Sequence, residues 1–230
     1  MDMGSRVGFP TRVLKLGGSV ITCRTVPHCP DLKVIRRIVR EIIPFKEGLV
    51  IVHGGGSFGH FEASMGISKR RPLIAAAMQE LNSLLLRELY SSGIHGFPVP
   101  GRYYSEDNLL RILGEGMTPV IYGDINERGE IISGDDLTLK VAKSFSLIAL
   151  FSTDVDGVLL HGRPVPELRS FADVEFGITH GYNVTGGMAE KLRKIFSFGV
   201  DAMIFNGKRE GNVFNALKGE RVGTFIKVKK

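Results

Sequence analysis

Val50-Ile51-Val52-His53-Gly54-Gly55-Gly56-Ser57-Phe58-Gly59-His60 is the stretch on which the fold turns. A short apolar run breaks into three consecutive glycines, and a serine follows. The run reads as a buried strand, and the glycines let the backbone turn sharply and come close to a ligand. Ser57 is a good N-cap, so a helix is expected to start there with unpaired N–H groups aimed back at the glycines. Those amides and the helix dipole suit a phosphate or another small anion. His60, in the first helical turn, can reach the same anion. A tight strand-to-helix turn under a packed histidine is the plainer alternative, but Gly-Gly-Gly-Ser-x-Gly-His is unusual for a mere turn.

Upstream, Val13-Leu14-Lys15-Leu16 reads as a short strand ending in Gly17-Gly18-Ser19. With a helix near 31–46 between them, the two strand-then-glycine units form a βαβ motif, and both loops lie at the carboxyl ends of their strands, where open α/β sheets bind ligands. Downstream, helices are expected near 57–66, 73–91, 105–115, 134–145 and 188–198, with a short one after Lys208. Strands are expected at 97–99, 118–122, 146–151, 202–205 and 223–226, with a small hairpin around Asn126-Glu127-Arg128. The segment 161–183 is irregular and holds Pro164 and Pro166. Strands and helices alternate without a linker or repeat. The fold class is therefore α/β, a single three-layer αβα sandwich over 1–230 around a largely parallel open sheet. An acceptor lobe at about 12–133 and a nucleotide lobe at about 134–230 are its expected halves.

Composition narrows the partners. With 43% hydrophobic and 23% charged residues among 230, the chain reads as an ordinary globular protein. No apolar run approaches the roughly 18 residues that span a membrane, and Met1 to Arg12 lacks the apolar core of a signal peptide, so a cytoplasmic protein is expected. Cys23 and Cys29 lie in a Pro-rich loop; a reduced pair is expected there, with one disulfide as the alternative, and no zinc site. The net charge of +6 sits largely on Lys33, Arg36, Arg37 and Arg40 and on the tail Lys227, Lys229 and Lys230. The first group reads as the solvated face of an amphipathic helix. No aromatic residues interleave with it, which argues against nucleic acid. A small polyanionic substrate accounts for the bias equally well.

Glycine with polar or charged residues recurs at 17–19, 54–60, 134–136, 152–157 and 185–191. A Rossmann dehydrogenase needs Gly-x-Gly-x-x-Gly closing its first strand, which Gly17-Gly18-Ser19-Val20-Ile21 does not supply, and the Gly-x-x-x-x-Gly-Lys-Ser/Thr of a P-loop is absent. The set Leu14-Lys15-Leu16-Gly17-Gly18-Ser19-Val20-Ile21-Thr22, His53 to His60, Tyr122-Gly123-Asp124, Ser133-Gly134-Asp135-Asp136, Thr153-Asp154-Val155-Asp156-Gly157 and Val184-Thr185-Gly186-Gly187-Met188 resembles the amino acid kinase superfamily. Within it the chain is most similar to the isopentenyl phosphate kinase family, from about residue 12 to its end.

The resemblance implies direct, in-line transfer of the γ-phosphoryl of MgATP to isopentenyl phosphate, in isoprenoid biosynthesis, by a homodimer. Lys15 and Lys191 match the two family lysines that clamp the transferring group and the nucleotide phosphates. Asp135 matches the acid that holds them. The amides of Gly17, Gly18, Gly55 and Gly56 would bridge acceptor and donor phosphates, and Gly59 and His60 complete the acceptor side. His60 would hydrogen-bond the acceptor phosphate as a positioning donor, since that nucleophilic oxygen is already ionised and needs no general base. Thr153, Asp154, Gly157, Gly186, Gly187 and Lys208 match nucleotide-binding parts, with a core-turn role for Asp156-Gly157 as an equal alternative. No protein metal ligands are implied; Mg2+ comes with ATP.

Two departures stand out. Where many relatives place a lysine a few residues after the first Gly-Gly, this chain has Arg24, which keeps the charge and binds phosphate bidentately. The segment after Gly157 is shorter than in relatives, which bears on adenine binding. The helix at 73–91 is where the family encloses an isoprenoid tail; its Ala75-Ala76-Ala77-Met78 start could leave room for one, although an apolar stripe is more often core than pocket. A fosfomycin kinase-like phosphotransferase shares the glycine loop and its histidine, and a nucleotide or phosphate sensor without turnover is a third reading.

Overall fold

Alternation along the first strand organises the molecule. In β1 (Arg12–Leu16) the side chains of Val13 and Lys15 point to one face of the sheet and those of Leu14 and Leu16 to the other. Three helices cover the first face: α5 (Glu106–Gly114), α6 (Gly134–Ser144) and α7 (Gly187–Phe198), through Leu109, Leu137 and Leu192. The second face meets α2 (Leu32–Ile42), α4 (Ile67–Ser91) and α8 (Asn212–Lys218) through Ile35, Leu81 and Leu217. The result is the expected three-layer sandwich. It comes from a computed structural model that describes residues 8–160, 163–170 and 187–228.

Among the described residues eight strands make the sheet, in the order β10-β12-β11-β7-β1-β2-β4-β3. Around β1 the pairs to β2 (Leu49–His53) and β7 (Ala149–Thr153) are parallel, as are β2 to β4 (Thr118–Tyr122), β4 to β3 (Gly96–Pro100) and β7 to β11 (Ala202–Asn206). β12 (Thr224–Ile226), paired in parallel with β10 (Glu167–Leu168), runs against its neighbour β11. Strand β3 holds Pro98 and Pro100, which cost it donors and confine it to an edge. β1, β2, β4, β7 and β11 are buried almost throughout, so their carboxyl ends share one rim. Among the described residues no helix is long and apolar enough to cross a membrane.

Several boundaries differ from expectation for identifiable reasons. Helix α4 starts at Ile67, six residues before the expected 73, and takes Pro72 inside it. A proline there leaves the Ser68 carbonyl without its usual donor; the Arg71 Nε–H donates to it instead, at 3.3 Å. Residues 146–148 close α6 rather than begin a strand: Ser146 has φ +54° and the Leu147 amide returns to Ala142 O at 2.8 Å. Cys23 and Cys29 form a disulfide, where a reduced pair was expected. Arg37 does not belong to a solvated face. It donates to the carbonyls of Gly207 and Arg209 and pairs with Glu41, whose carboxylate accepts from the amides of Gly211 (3.1 Å) and Phe214 (3.0 Å). Together they moor the loop between β11 and α8.

Candidate active site

The two glycine loops touch backbone to backbone. A Cβ on Gly18 would lie 2.2 Å from the Gly56 amide nitrogen, so no other residue fits at 18. Gly56 has φ +48° and begins α3 (Gly56–Ser64), with Gly55 as its cap. Ser57 is thus the second residue of the helix and not its cap. Its hydroxyl instead meets the backbone of Cys29. The amides of Gly18, Gly55 and Gly56 sit where helices open, out of reach of any preceding-turn carbonyl. Gly17 differs: its N–H donates to Ser152 O at 3.0 Å, so it joins the strand end to the sheet and is not free for a phosphate.

His60 is the fifth residue of α3, one turn in, and lines a cavity with Lys15, Gly54, Gly55, Gly59, Gly134 and Asp135. Burial, helped by the nearby Lys15 charge, pulls its pKa below the ordinary value, so the ring is neutral in the free protein. Gly59 lets α4 pack closely: a Cβ there would fall 2.4 Å from Met78 Sδ and displace that side chain. The far wall is apolar, made by Ala63, Ile74 and Met78 from the helices and by Ile131 and Ile132 from the hairpin β5 (Asp124–Ile125) to β6 (Ile131–Ile132). The empty space amounts to about 570 Å³, counting the open mouth. The sequence reading placed the hairpin but gave it no part in the site.

Lys15, Asp135 and Lys191 form one buried cluster. Asp135, in the first turn of α6 behind the Ser133 cap, pairs with Lys15 through Oδ1 and with Lys191 Nζ through Oδ2 at 2.6 Å. Gly134 makes room: a Cβ there would stand 3.1 Å from His53 O and 3.4 Å from Lys15 Cε. Both ammonium groups lie over the ring of Phe151, at 6.0 Å for Lys15 and 4.8 Å for Lys191. One turn beyond Lys191, Lys194 meets Asp136 at 2.9 Å and locks α7 to α6. Burial works to raise the Asp135 pKa, but the two lysines outweigh it and hold the carboxyl well below the usual range. Burial pushes Lys191 down to about 8, against the pull of Asp135.

That depressed lysine sets an alkaline limit. Below about pH 8 Lys191 carries its charge and above it the charge is lost. If anionic substrate needs that charge, kcat/KM for the nucleotide should fall above this pH by about tenfold per unit. The measurement is a pH–rate profile of the free enzyme beside Lys191→Arg, whose guanidinium stays charged and should flatten the limb. A wild-type profile level past about pH 9 would contradict a role for the Lys191 charge.

Across the rim, the proposed nucleotide residues divide. Arg24 reaches from the 22–30 loop and pairs with Asp154, joining two residues expected to bind nucleotide. Lys208 is exposed at the end of β11, and its amide caps onto Asn206 Oδ1 at 2.9 Å. Thr153 is used internally: its hydroxyl lies 3.0 Å from Val155 O and 3.2 Å from Phe205 O. Gly157, at φ +134°, packs against Thr224, where a Cβ would be 2.5 Å from Oγ1, so it serves the turn. Gly187 opens α7, while Gly186 lies outside the described residues. Two buried carboxylates brace the cavity wall. Asp124, in the Tyr122-Gly123-Asp124 piece but given no role by the sequence reading, caps the Ile125 amide at 2.8 Å and pairs with Arg102. Glu62, which no spacing signal would reveal, accepts from His28 and Arg70 at 2.8 Å each. His53 is also structural: burial pushes it down to about 4, and the neutral ring stacks on Tyr122.

The chain belongs to the amino acid kinase family, whose family model matches residues 10–205. Within that family it is 35% identical to the isopentenyl phosphate kinase of Haloferax volcanii, over 94% of this chain and 98% of the relative. It is 29% identical to that of Methanocaldococcus jannaschii, over 93% and 97%. The latter alignment runs for 253 positions against 230 residues here, so the relative holds residues that this chain lacks. A solved isopentenyl phosphate kinase structure superposes with a TM-score of 0.78 at 28% identity, covering 94% of this chain and 99% of the other.

Proposed function

We propose that the protein transfers the γ-phosphoryl group of MgATP to isopentenyl phosphate, giving isopentenyl diphosphate. One observation carries the reading: a single cavity combines Gly55, whose amide opens α3, with His60, an apolar far wall, and Lys15 beside Asp135. An acceptor with an ionised phosphate at one end and a short hydrocarbon tail at the other matches both surfaces. The phosphate would rest on Gly55, Gly56 and His60, and the tail would run toward Ile74, Met78 and Ile132.

Phosphoryl transfer asks the protein for positioning and charge compensation more than for covalent chemistry. Lys15, aimed from β1 at the centre of the rim, would neutralise the oxygens of the transferring group. Lys191 would hold the nucleotide side. Asp135 fixes both ammonium groups, so they need not reorganise as charge moves. His60 donates an N–H to an acceptor oxygen, and an arriving phosphate dianion raises its pKa toward the charged form. Among the described residues no group of three or more His, Cys, Asp or Glu side chains is arranged to hold a metal ion. Mg2+ is therefore expected to ride on the phosphate oxygens of ATP, where it would offset their charge. Arg24, Asp154 and Lys208 are assigned to the nucleotide. The acceptor and nucleotide lobes at about 12–133 and 134–230, a homodimer built on α2 or α4, a cytoplasmic location and a place in the mevalonate route belong to the same proposal.

The test is turnover with labelled ATP across a panel of prenyl monophosphates, short alkyl phosphates and fosfomycin. Isopentenyl phosphate should be the best acceptor, and short alkyl phosphates should lose mainly in KM for want of tail contacts. Turnover of fosfomycin alone would transfer the assignment to a phosphonate kinase. Nucleotide binding without any turnover would make the protein a sensor.

A further inference from the structure

Thr22 stands where the two glycine loops meet. Its side chain is buried, and its single hydroxyl is used in both directions. Oγ1 donates to Gly18 O at 2.7 Å and accepts from the Ser57 amide at 2.9 Å. One oxygen therefore ties the loop after β1 to the first turn of α3. The fit is close: a Cβ on Gly56 would fall 2.2 Å from this oxygen, so the neighbouring glycine is shaped around it.

Thr22 is itself firmly held. It forms an isolated antiparallel bridge with Pro30, and the next residue enters the Cys23–Cys29 disulfide. The Cys23 amide donates to Cys29 O at 2.8 Å, and the His28 amide donates to Ser57 O at 3.0 Å. The small 22–30 loop thus grips α3 from outside, with the Thr22 hydroxyl as its contact with both glycine segments.

We propose that Thr22 is a positioning residue for phosphoryl transfer: its hydroxyl sets the Gly18 amide in register with those of Gly55 and Gly56, so that acceptor and donor phosphates are aligned on one line. This rests on the transfer reading above. Thr22 touches neither phosphate. It acts through Gly18 and Ser57, and the part of the cycle most sensitive to it is the one that needs both loops at once. Ground-state binding of either substrate alone leans mainly on one side of the seam.

The experiment compares Thr22→Val, which keeps the shape and removes the hydroxyl, with Thr22→Ser, which keeps the hydroxyl, and with Thr22→Ala as a second hydroxyl-free variant should valine fail to fold. Turnover is measured per folded molecule, with KM for each substrate, and amide exchange is followed on the 54–60 peptide. Misalignment at the reacting centre costs on the order of 100-fold, so kcat should fall by about that factor in the hydroxyl-free variants while either KM shifts far less. Exchange at Ser57 should quicken, and Thr22→Ser should restore both readouts to within about fivefold of wild type. A purely structural threonine would lower Tm and leave kcat per folded molecule unchanged. A folded Thr22→Val or Thr22→Ala with kcat within about twofold of an active wild type overturns this inference alone. A wild type inert toward every acceptor in the panel overturns the transfer reading, and this inference with it.

Discussion

Lys15→Ala is expected to reduce turnover by about 1000-fold or more with every acceptor tested, the scale seen when one cation that compensates a transferring phosphoryl is removed. The reason lies in where β1 puts this side chain. It leaves the sheet on the same face as Val13, passes Gly134 and ends at Asp135, beside the inner end of the acceptor cavity. No neighbour can replace it, because Lys191 approaches the same carboxylate from α7 and is held there. The variant should nevertheless fold. Asp135 keeps Lys191 as a partner, so no isolated buried charge is created, and the severe penalty for breaking a buried ion pair is avoided. Single-turnover kinetics with isopentenyl phosphate and with a second acceptor, alongside a melting curve, would check this. A normal rate in a folded Lys15→Ala protein would remove Lys15 from the chemistry. Equal losses in rate and folded fraction would make its role structural.

His60→Ala should cost on the order of 2.7–4 kcal/mol in the transition state, or roughly 100- to 1000-fold in kcat, by analogy with the loss of one oxyanion donor. ATP affinity should change little, since His60 lies with Gly55, Gly59 and the apolar wall, away from Arg24, Asp154 and Lys208. His60→Gln keeps a donor and should recover part of the rate. The two positions separate cleanly: Lys15 governs every acceptor, whereas His60 should matter most for acceptors that present a phosphate. A histidine that merely packed would instead lower Tm while leaving kcat per folded molecule intact. Full activity in folded His60→Ala would end its assignment to the acceptor.

Much of this site is legible from residue order because its essential groups lie at strand ends. Glycines after an apolar run announce a strand-to-helix turn, and Gly134-Asp135-Asp136 behind Ser133 announces a helix with acids in its first turn. Residues at or near those signals, Lys15, Gly55, Gly59, His60 and Asp135, line one cavity. What escaped notice depends on partners distant in the chain. Arg37 has the spacing of a solvated residue, yet it is spent on carbonyls some 170 residues away. Gly17 resembles Gly18 in sequence, but Ser152 O claims its amide. Pro72 normally signals a break, and only the Arg71 side chain, replacing the lost donor, lets α4 run through it. Ser57 is an excellent cap by composition, but Gly56, with φ +48°, starts the helix one residue earlier. Tertiary context overrides local propensity in each case.

The floor of the acceptor cavity is main chain, and main chain carries no memory of which residue it belongs to beyond the demand for glycine. Beside that floor Gly18 and Gly56 meet backbone to backbone, so mutation has almost nothing to vary there. Heritable change in substrate choice is thereby pushed to Ala63, Ile74, Met78, Ile131 and Ile132, supplied by three separate elements, α3, α4 and β6. A lineage can retailor those walls one residue at a time while the anchor for the phosphate stays fixed. New acceptors would then be gained by altering length and girth of the tail accommodated, with the chemical step inherited whole.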